Sequence, residues 1–178
     1  MTRREDGRVC LGFSLVGAGA SAKYQCLTKV GGTMQIFIIG SPFETAQALD
    51  KRRLNKQIIE CRQILKAING ETKAWANHPC VRMYRSHEMW LFYYLAVLQE
   101  YRDGRIGWSK HISSVSMCCR PPFQTDEYFD QMKRRLYTKD HEHYKQWAHL
   151  GESDVNWYYV DGEWLHYRYG KRISSLGK

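Results

Sequence analysis

No stretch of this sequence approaches about 18 consecutive apolar residues without a charge, so no membrane-spanning helix is expected. None of the six cysteines, at 10, 26, 61, 80, 118 and 119, forms a Cys-x-x-Cys pair, which argues against a zinc ribbon or a thioredoxin-type motif. Cys118 and Cys119 are adjacent, a spacing that disfavours a bridge between them, and Cys61 falls on the apolar side of an expected helix, where a thiol acts as a small hydrophobe. The cysteine usage therefore reads as that of a reduced, intracellular protein. There is no phosphate loop, dinucleotide fingerprint, serine elbow or zincin motif, and no repeat or low-complexity tract. Acidic residues are in deficit: 18 Asp and Glu stand against 27 Lys and Arg, a net charge of +9. That excess suits a polyanionic partner.

What is present is enough for a core. The 178 residues are 43% hydrophobic, one domain's worth of chain and too apolar for wholesale disorder. The 6 Trp, 12 Tyr and 6 Phe, set among basic residues, are the side chains that neutralise phosphate and stack on bases, or else the makings of an aromatic core.

The first 33 residues stand apart. They hold 6 of the 14 glycines and show neither helical nor strand periodicity. Arg3-Arg4, the apolar run from Leu11 and Ala20-Ser21-Ala22 loosely mimic a signal peptide, but Glu5, Asp6 and the glycines break the pattern. Residues 1–33 therefore read as an irregular N-terminal extension, and a misassigned start is a second reading, since Gly31-Gly32 can be encoded by a purine-rich stretch like a bacterial ribosome-binding site just upstream of Met34. Residues 34–178 form the expected domain and keep 22 basic and 16 acidic residues, net +6.

From Met34 the pattern sharpens towards a mainly α class. Ser41-Pro42-Phe43-Glu44 is a capping box with proline at the first helical position. Asp50 caps a second segment, in which Leu54, Ile58, Cys61, Leu65 and Ile68 make one apolar stripe before Asn69-Gly70 stops it. Trp75 to Pro79 reads as a loop. A single helix is expected from about Val81 to Tyr101, with Tyr84, His87, Leu91, Tyr94, Leu98 and Tyr101 on one face and Asp103-Gly104 at its end. Residues 105–122 read as irregular. Thr125 caps a third helix with Tyr128, Phe129, Met132 and Leu136 inward, and Asp140 caps a short fourth through Tyr144 and Trp147. The segment from Val155 on reads as an irregular, aromatic and basic tail that either stacks on bases or packs across the helices.

By pattern alone, Glu60 is an exposed glutamate paired with Lys56 four residues before it, with a tuned acid or base as the alternative. His87 reads as a satisfied core histidine first and a site residue second. His141-Glu142-His143 and His149 are discounted as a metal site, because His-x-His on a helix turns the two rings to different sides. Arg82 and Arg85, near His78-Pro79, suit a phosphate clamp or a solvated basic edge.

Several spaced elements, in order, resemble one family. They are Met34-Gln35-Ile36-Phe37, the run from Leu49 through Glu60, Asn77-His78-Pro79 with Met83-Tyr84-Arg85, Pro121-Pro122, Lys139 to Tyr144, and Trp164 to Lys171. Together they are similar to the pyrimidine dimer DNA glycosylases, the phage-type endonuclease V family of ultraviolet-damage repair. The resemblance spans nearly all of 34–178 and none of 1–33. It implies a compact helical fold that excises damaged pyrimidines, in cyclobutane dimers, from double-stranded DNA and then cleaves the strand as an AP lyase. In that family the α-amine of the mature chain attacks the sugar's anomeric carbon, forming an imine, and a glutamate on the first long helix assists. The family's leucine-to-glutamate spacing is matched by Leu54 and Glu60, and its proline-to-histidine spacing by Pro79 and His87.

The resemblance thus assigns Glu60 and a chain-end amine as the chemistry. The amine is that of Gln35 once Met34 is removed, or of Met34 itself. An α-amine titrates near about 8, so a useful fraction is free base at neutral pH. The imine is its own electron sink, so no metal or organic cofactor is expected. Arg53, Lys56, Arg62, Arg82, Arg85, Lys171 and Arg172 are the expected DNA-backbone contacts, with His87 near the site. A monomer in the cytoplasm of a bacterium or phage-infected cell, with no membrane partner, is expected. Ile59 stands where the phage enzymes carry arginine, a departure that bears on substrate preference. The alternatives are a non-catalytic DNA-binding protein on the same scaffold and a glycosylase for another modified base.

Overall fold

In the computed structural model the described residues are 34–105 and 120–173. The expectations for 1–33, for most of the irregular stretch 105–122 and for the last five residues lie outside them. The first described residues form no helix or strand, yet Met34, Gln35, Ile36, Phe37 and Ile38 are all buried. A buried segment must still pair its backbone groups. Here side chains from distant elements do so. Tyr158 Oη donates to Met34 O at 2.8 Å, Gln57 Nε2 to Gln35 O at 2.9 Å, Tyr128 Oη to Ile36 O at 3.2 Å and Tyr94 Oη to Phe37 O at 2.5 Å. Phe37 N–H donates to Gln57 Oε1 at 2.8 Å, and Ile39 N–H to Thr45 Oγ1 at 3.2 Å. Three tyrosines and a glutamine thus anchor the segment at the centre of the core. Tyr94→Phe, which leaves Phe37 O unpaired, is expected to cost about 1–2 kcal/mol in urea unfolding with an unchanged m-value.

Helix α1 (Pro42–Ala48) begins with the expected capping box: Ser41 Oγ accepts from Glu44 N–H at 3.2 Å, and Glu44 Oε2 accepts from Ser41 N–H at 2.7 Å. Helix α2 (Lys51–Ile68) is capped by Asp50 and stops at Asn69, followed by Gly70 at φ 73°. Its buried residues begin as expected with Leu54, Ile58 and Cys61, then move to Ile64 and Ala67, leaving Leu65 and Ile68 half-buried.

The single helix expected from Val81 to Tyr101 is two: α3 (Pro79–Tyr84) and α4 (Glu88–Arg102). The chain breaks at Ser86-His87, where His87 lies outside the helical region at φ −131°. The halves answer to different neighbours, α3 to the sheet and α2, α4 to α1 and α2. His78 caps α3, its Nδ1 accepting from Cys80 N–H at 3.1 Å. Burial holds this imidazole neutral, pulling it down to about 4.

Helix α5 (Asp126–Lys139) starts at Thr125 with Tyr128, Phe129, Met132 and Leu136 buried as expected. The expected fourth helix is instead a turn and a 3-10 helix, Lys145–Leu150, with Asp140 Oδ1 accepting from His143 N–H. The chain stays mainly α, but its C-terminal segment is not irregular. β1 (Asn156–Val160), β2 (Glu163–Arg168) and β3 (Lys171–Ile173) make an antiparallel meander. Two-residue turns join them, with positive φ at both Asp161 and Gly162 and again at both Tyr169 and Gly170, which matches strand twist. Trp157, Tyr158, Val160 and Leu165 face the core, so this part of the aromatic segment packs across the helices.

Candidate active site

Glu60 is the polar centre of the buried interface between α2 and the first segment. It is 7% exposed, although its neighbour Ile59 is 54% exposed. Gln57, one turn earlier, explains the placement. Its Nε2 bridges Gln35 O and Glu60 Oε2, at 2.9 and 2.8 Å, while its Oε1 holds Phe37 N–H. Burial raises the Glu60 carboxyl to about 7, against the opposing pull of Lys56, Lys139 and the Gln35 backbone N–H. Lys56 Nζ sits 3.5 Å from Glu60 Oε1, so the pair expected from spacing exists, but around a buried carboxyl and not an exposed one. Such a carboxyl holds or gives up a proton near neutral pH, the property a general acid–base needs.

Met34 and Gln35 are 3% and 2% exposed. Gln35 sends its side-chain amide toward Met132 Sδ (3.5 Å) and Trp157 O (3.4 Å), and its backbone nitrogen faces the Glu60 carboxyl. Two proposed chemical residues, distant in sequence by 25 positions, are therefore in contact.

The basic residues divide. Lys56 belongs to the Glu60 cluster. Arg53 lies two turns before Glu60, held by Asp50 (2.6 Å), Asp140 (3.5 Å) and the Lys139 carbonyl (2.8 Å), with its guanidinium over the Tyr144 ring. Burial works to raise the Asp50 carboxyl, but the hydrogen bonds from Arg53 and Tyr144 prevail and hold it at about 2. Arg62 is exposed on α2. Arg82 and Arg85 line a different cavity of about 250 Å³ with Ser86 and Asp161; Arg82 pairs with Asp161, and Arg85 Nη2 donates to Ala76 O at 3.1 Å. His87 is half-buried at the α3–α4 break, edge-on to Phe123 at 5.7 Å, and burial lowers its pKa. Lys171 and Arg172 are exposed on β3. Among the described residues no group of three or more His, Cys, Asp or Glu is arranged to hold a metal.

Three residues of the cluster had no separate signal in the sequence. Gln57 stands in the matching run as one polar residue among many. Arg135 is 5% exposed, with Nε and Nη1 lacking any hydrogen-bond partner, and Lys139 follows it by one turn of α5. With Met132 they occupy one face of α5, at i, i+3 and i+7.

The segment that carries this geometry also carries a likeness to a family. Residues 34–112 match the family model described as pyrimidine dimer DNA glycosylase. Over this segment, which is less than half of the chain, the chain is similar to that family. The match contains Gln35, Gln57, Glu60 and His87 and stops before α5 and the sheet. Comparison with curated proteins and with solved structures returned no match. The family is one of DNA glycosylases, enzymes whose substrate is damaged DNA.

Proposed function

We propose that the protein excises damaged pyrimidines, foremost cyclobutane dimers, from duplex DNA and cleaves the resulting site as an AP lyase. The observation that carries this reading is the buried Glu60 carboxyl, titrating near 7, against the backbone nitrogen of Gln35. In a chain that begins at Gln35 that nitrogen is an α-amine; in one that begins at Met34 the amine is one residue away. The amine adds to the anomeric carbon, the base leaves its sugar, and loss of a C2′ proton from the imine expels the 3′ phosphate. Glu60 exchanges the protons. Extrusion of the nucleotide costs less at a lesion, where pairing and stacking are already weakened. Lys56, Arg62, Arg82, Arg85, Lys171 and Arg172 supply affinity for the phosphates, and Arg53 shapes the same surface. The reading needs no cofactor, and it suits a monomer acting in the cytoplasm.

The test is borohydride trapping on ultraviolet-irradiated and undamaged duplexes, with chains beginning at Met1 and at Met34. A covalent adduct on irradiated DNA alone is the expected result. Salt-sensitive binding without base release or adduct would favour the non-catalytic DNA-binding alternative. An adduct with another damaged duplex and none with irradiated DNA would favour a different modified base, a shift to which exposed Ile59 beside Glu60 would be relevant.

A further inference from the structure

Lys139 ends α5, and its carbonyl accepts from Arg53 Nη2 at 2.8 Å, which docks the end of α5 on the first turns of α2. Arg53 and Glu60 are seven residues apart, two turns along the same side of α2. The face of α5 that bears Lys139 also bears Met132, which touches the Gln35 side chain. The first segment, α2 and α5 therefore converge on Glu60, and Lys139 is the α5 side chain whose charge acts on that carboxyl.

We propose that the Lys139 side-chain amine is a second nucleophile of this site, forming the imine in a chain where the Gln35 nitrogen is an internal peptide nitrogen. The inference rests on the glycosylase reading above and adds a residue to it. An amide nitrogen has no free lone pair to attack a sugar, whereas a lysine has one whenever its ammonium is deprotonated. Partial burial, then the cations Arg135, Lys56 and Arg53, push Lys139 down to about 8, with Glu60 acting in the opposite direction. A meaningful fraction is therefore free base at neutral pH, where an ordinary lysine has almost none. Lys139 is also exposed, so a sugar can reach it.

The step balances without a redox partner. The Nζ lone pair forms the bond to C1′, and the C1′–base bond breaks with its electron pair leaving on the base, which takes up a proton. Loss of a proton from nitrogen and opening of the sugar ring, with protonation of the ring oxygen, give the imine. A C2′ proton is then lost to the Glu60 carboxylate as the C3′–oxygen bond to phosphate breaks, and water hydrolyses the imine to return the lysine.

The experiment uses the full 178-residue chain on ultraviolet-irradiated duplex. Borohydride-reduced adducts are digested and located by peptide mass spectrometry, and base release is followed in parallel. The adduct is expected on Lys139. Lys139→Arg, which keeps the charge and the helix end, is expected to lower the trapped yield at least tenfold with an unchanged circular dichroism spectrum. An adduct on the terminal nitrogen or another lysine, or an unchanged yield from Lys139→Arg, overturns the role of Lys139 and leaves the glycosylase reading intact. Base release without an adduct does the same. Neither base release nor adduct, on this or any damaged duplex, removes both.

Discussion

Glu60→Gln is expected to lower base release and imine trapping on irradiated DNA by about 100-fold or more, the scale of a lost general acid–base, with DNA affinity nearly unchanged. Gln keeps the shape and can still meet Gln57, so the fold survives. What is lost is the capacity to exchange a proton near neutral pH. The same variant carries a stability signature that an exposed glutamate would not. The folded-state pKa of about 7 lies above the ordinary 4.5, so the fold favours the neutral carboxyl. Its stabilising effect is full below about pH 4.5 and is lost as pH rises through 7. Over that window this one group removes about 3 kcal/mol of stability, an order-of-magnitude figure. Glu60→Gln, permanently neutral, is expected to match the parent near pH 4.5 and to be the more stable protein at pH 8. Urea unfolding at both pH values checks the crossover. Parallel stability curves would remove the raised pKa of Glu60, and cleavage at the parent's rate would remove Glu60 from the chemistry.

Gln57→Leu is expected to be the most damaging single change in the site. Its volume is similar, but it strands Gln35 O and Phe37 N–H in the core and removes the donor to Glu60 Oε2. Buried backbone groups left unpaired cost about 1–3 kcal/mol each, so a loss of about 3–5 kcal/mol is expected. Because Gln57 positions both Gln35 and Glu60 and itself meets no substrate, turnover should fall at least tenfold under conditions where the variant is folded, with KM little changed. Gln57→Glu keeps the acceptor for Phe37 N–H but not the two donated bonds. It should recover part of the stability and little of the turnover. A variant whose KM rises while kcat holds would mean that Gln57 shapes DNA binding instead.

Local signals were legible wherever the deciding atoms lie within a few residues. Ser41-Glu44, Asp50 and Thr125 cap their helices as expected, because a cap is chemistry between neighbours. The apolar stripe of α2 was legible for its first half. The sheet was not expected, although a signal for it exists: Asp161-Gly162 between two aromatic runs is a hairpin turn, and positive φ at both residues is what that pair favours. The density of Tyr and Trp around it reads as a stacking surface or as core, and composition does not distinguish the two.

Other features depend on partners remote in sequence. Both α3 and α4 pack on α2, and the break at Ser86-His87 lets α3 also meet β1 and α4 also meet α1. Glu60 looks like an exposed member of a Lys56 pair until residues 34–37 are laid across α2 and bury it. No periodicity announces that, because the covering segment has no regular structure and is held by tyrosines from α4, α5 and β1. The approach of Lys139 to the same carboxyl is likewise set by α5 docking through Arg53. The sequence by itself determined the helix starts, the basic charge and the residues of the family match. Only the tertiary structure decided that Glu60 is a buried acid near neutrality beside Gln35 and Lys139, because desolvation and proximity are properties of packed neighbours and not of spacing along a chain.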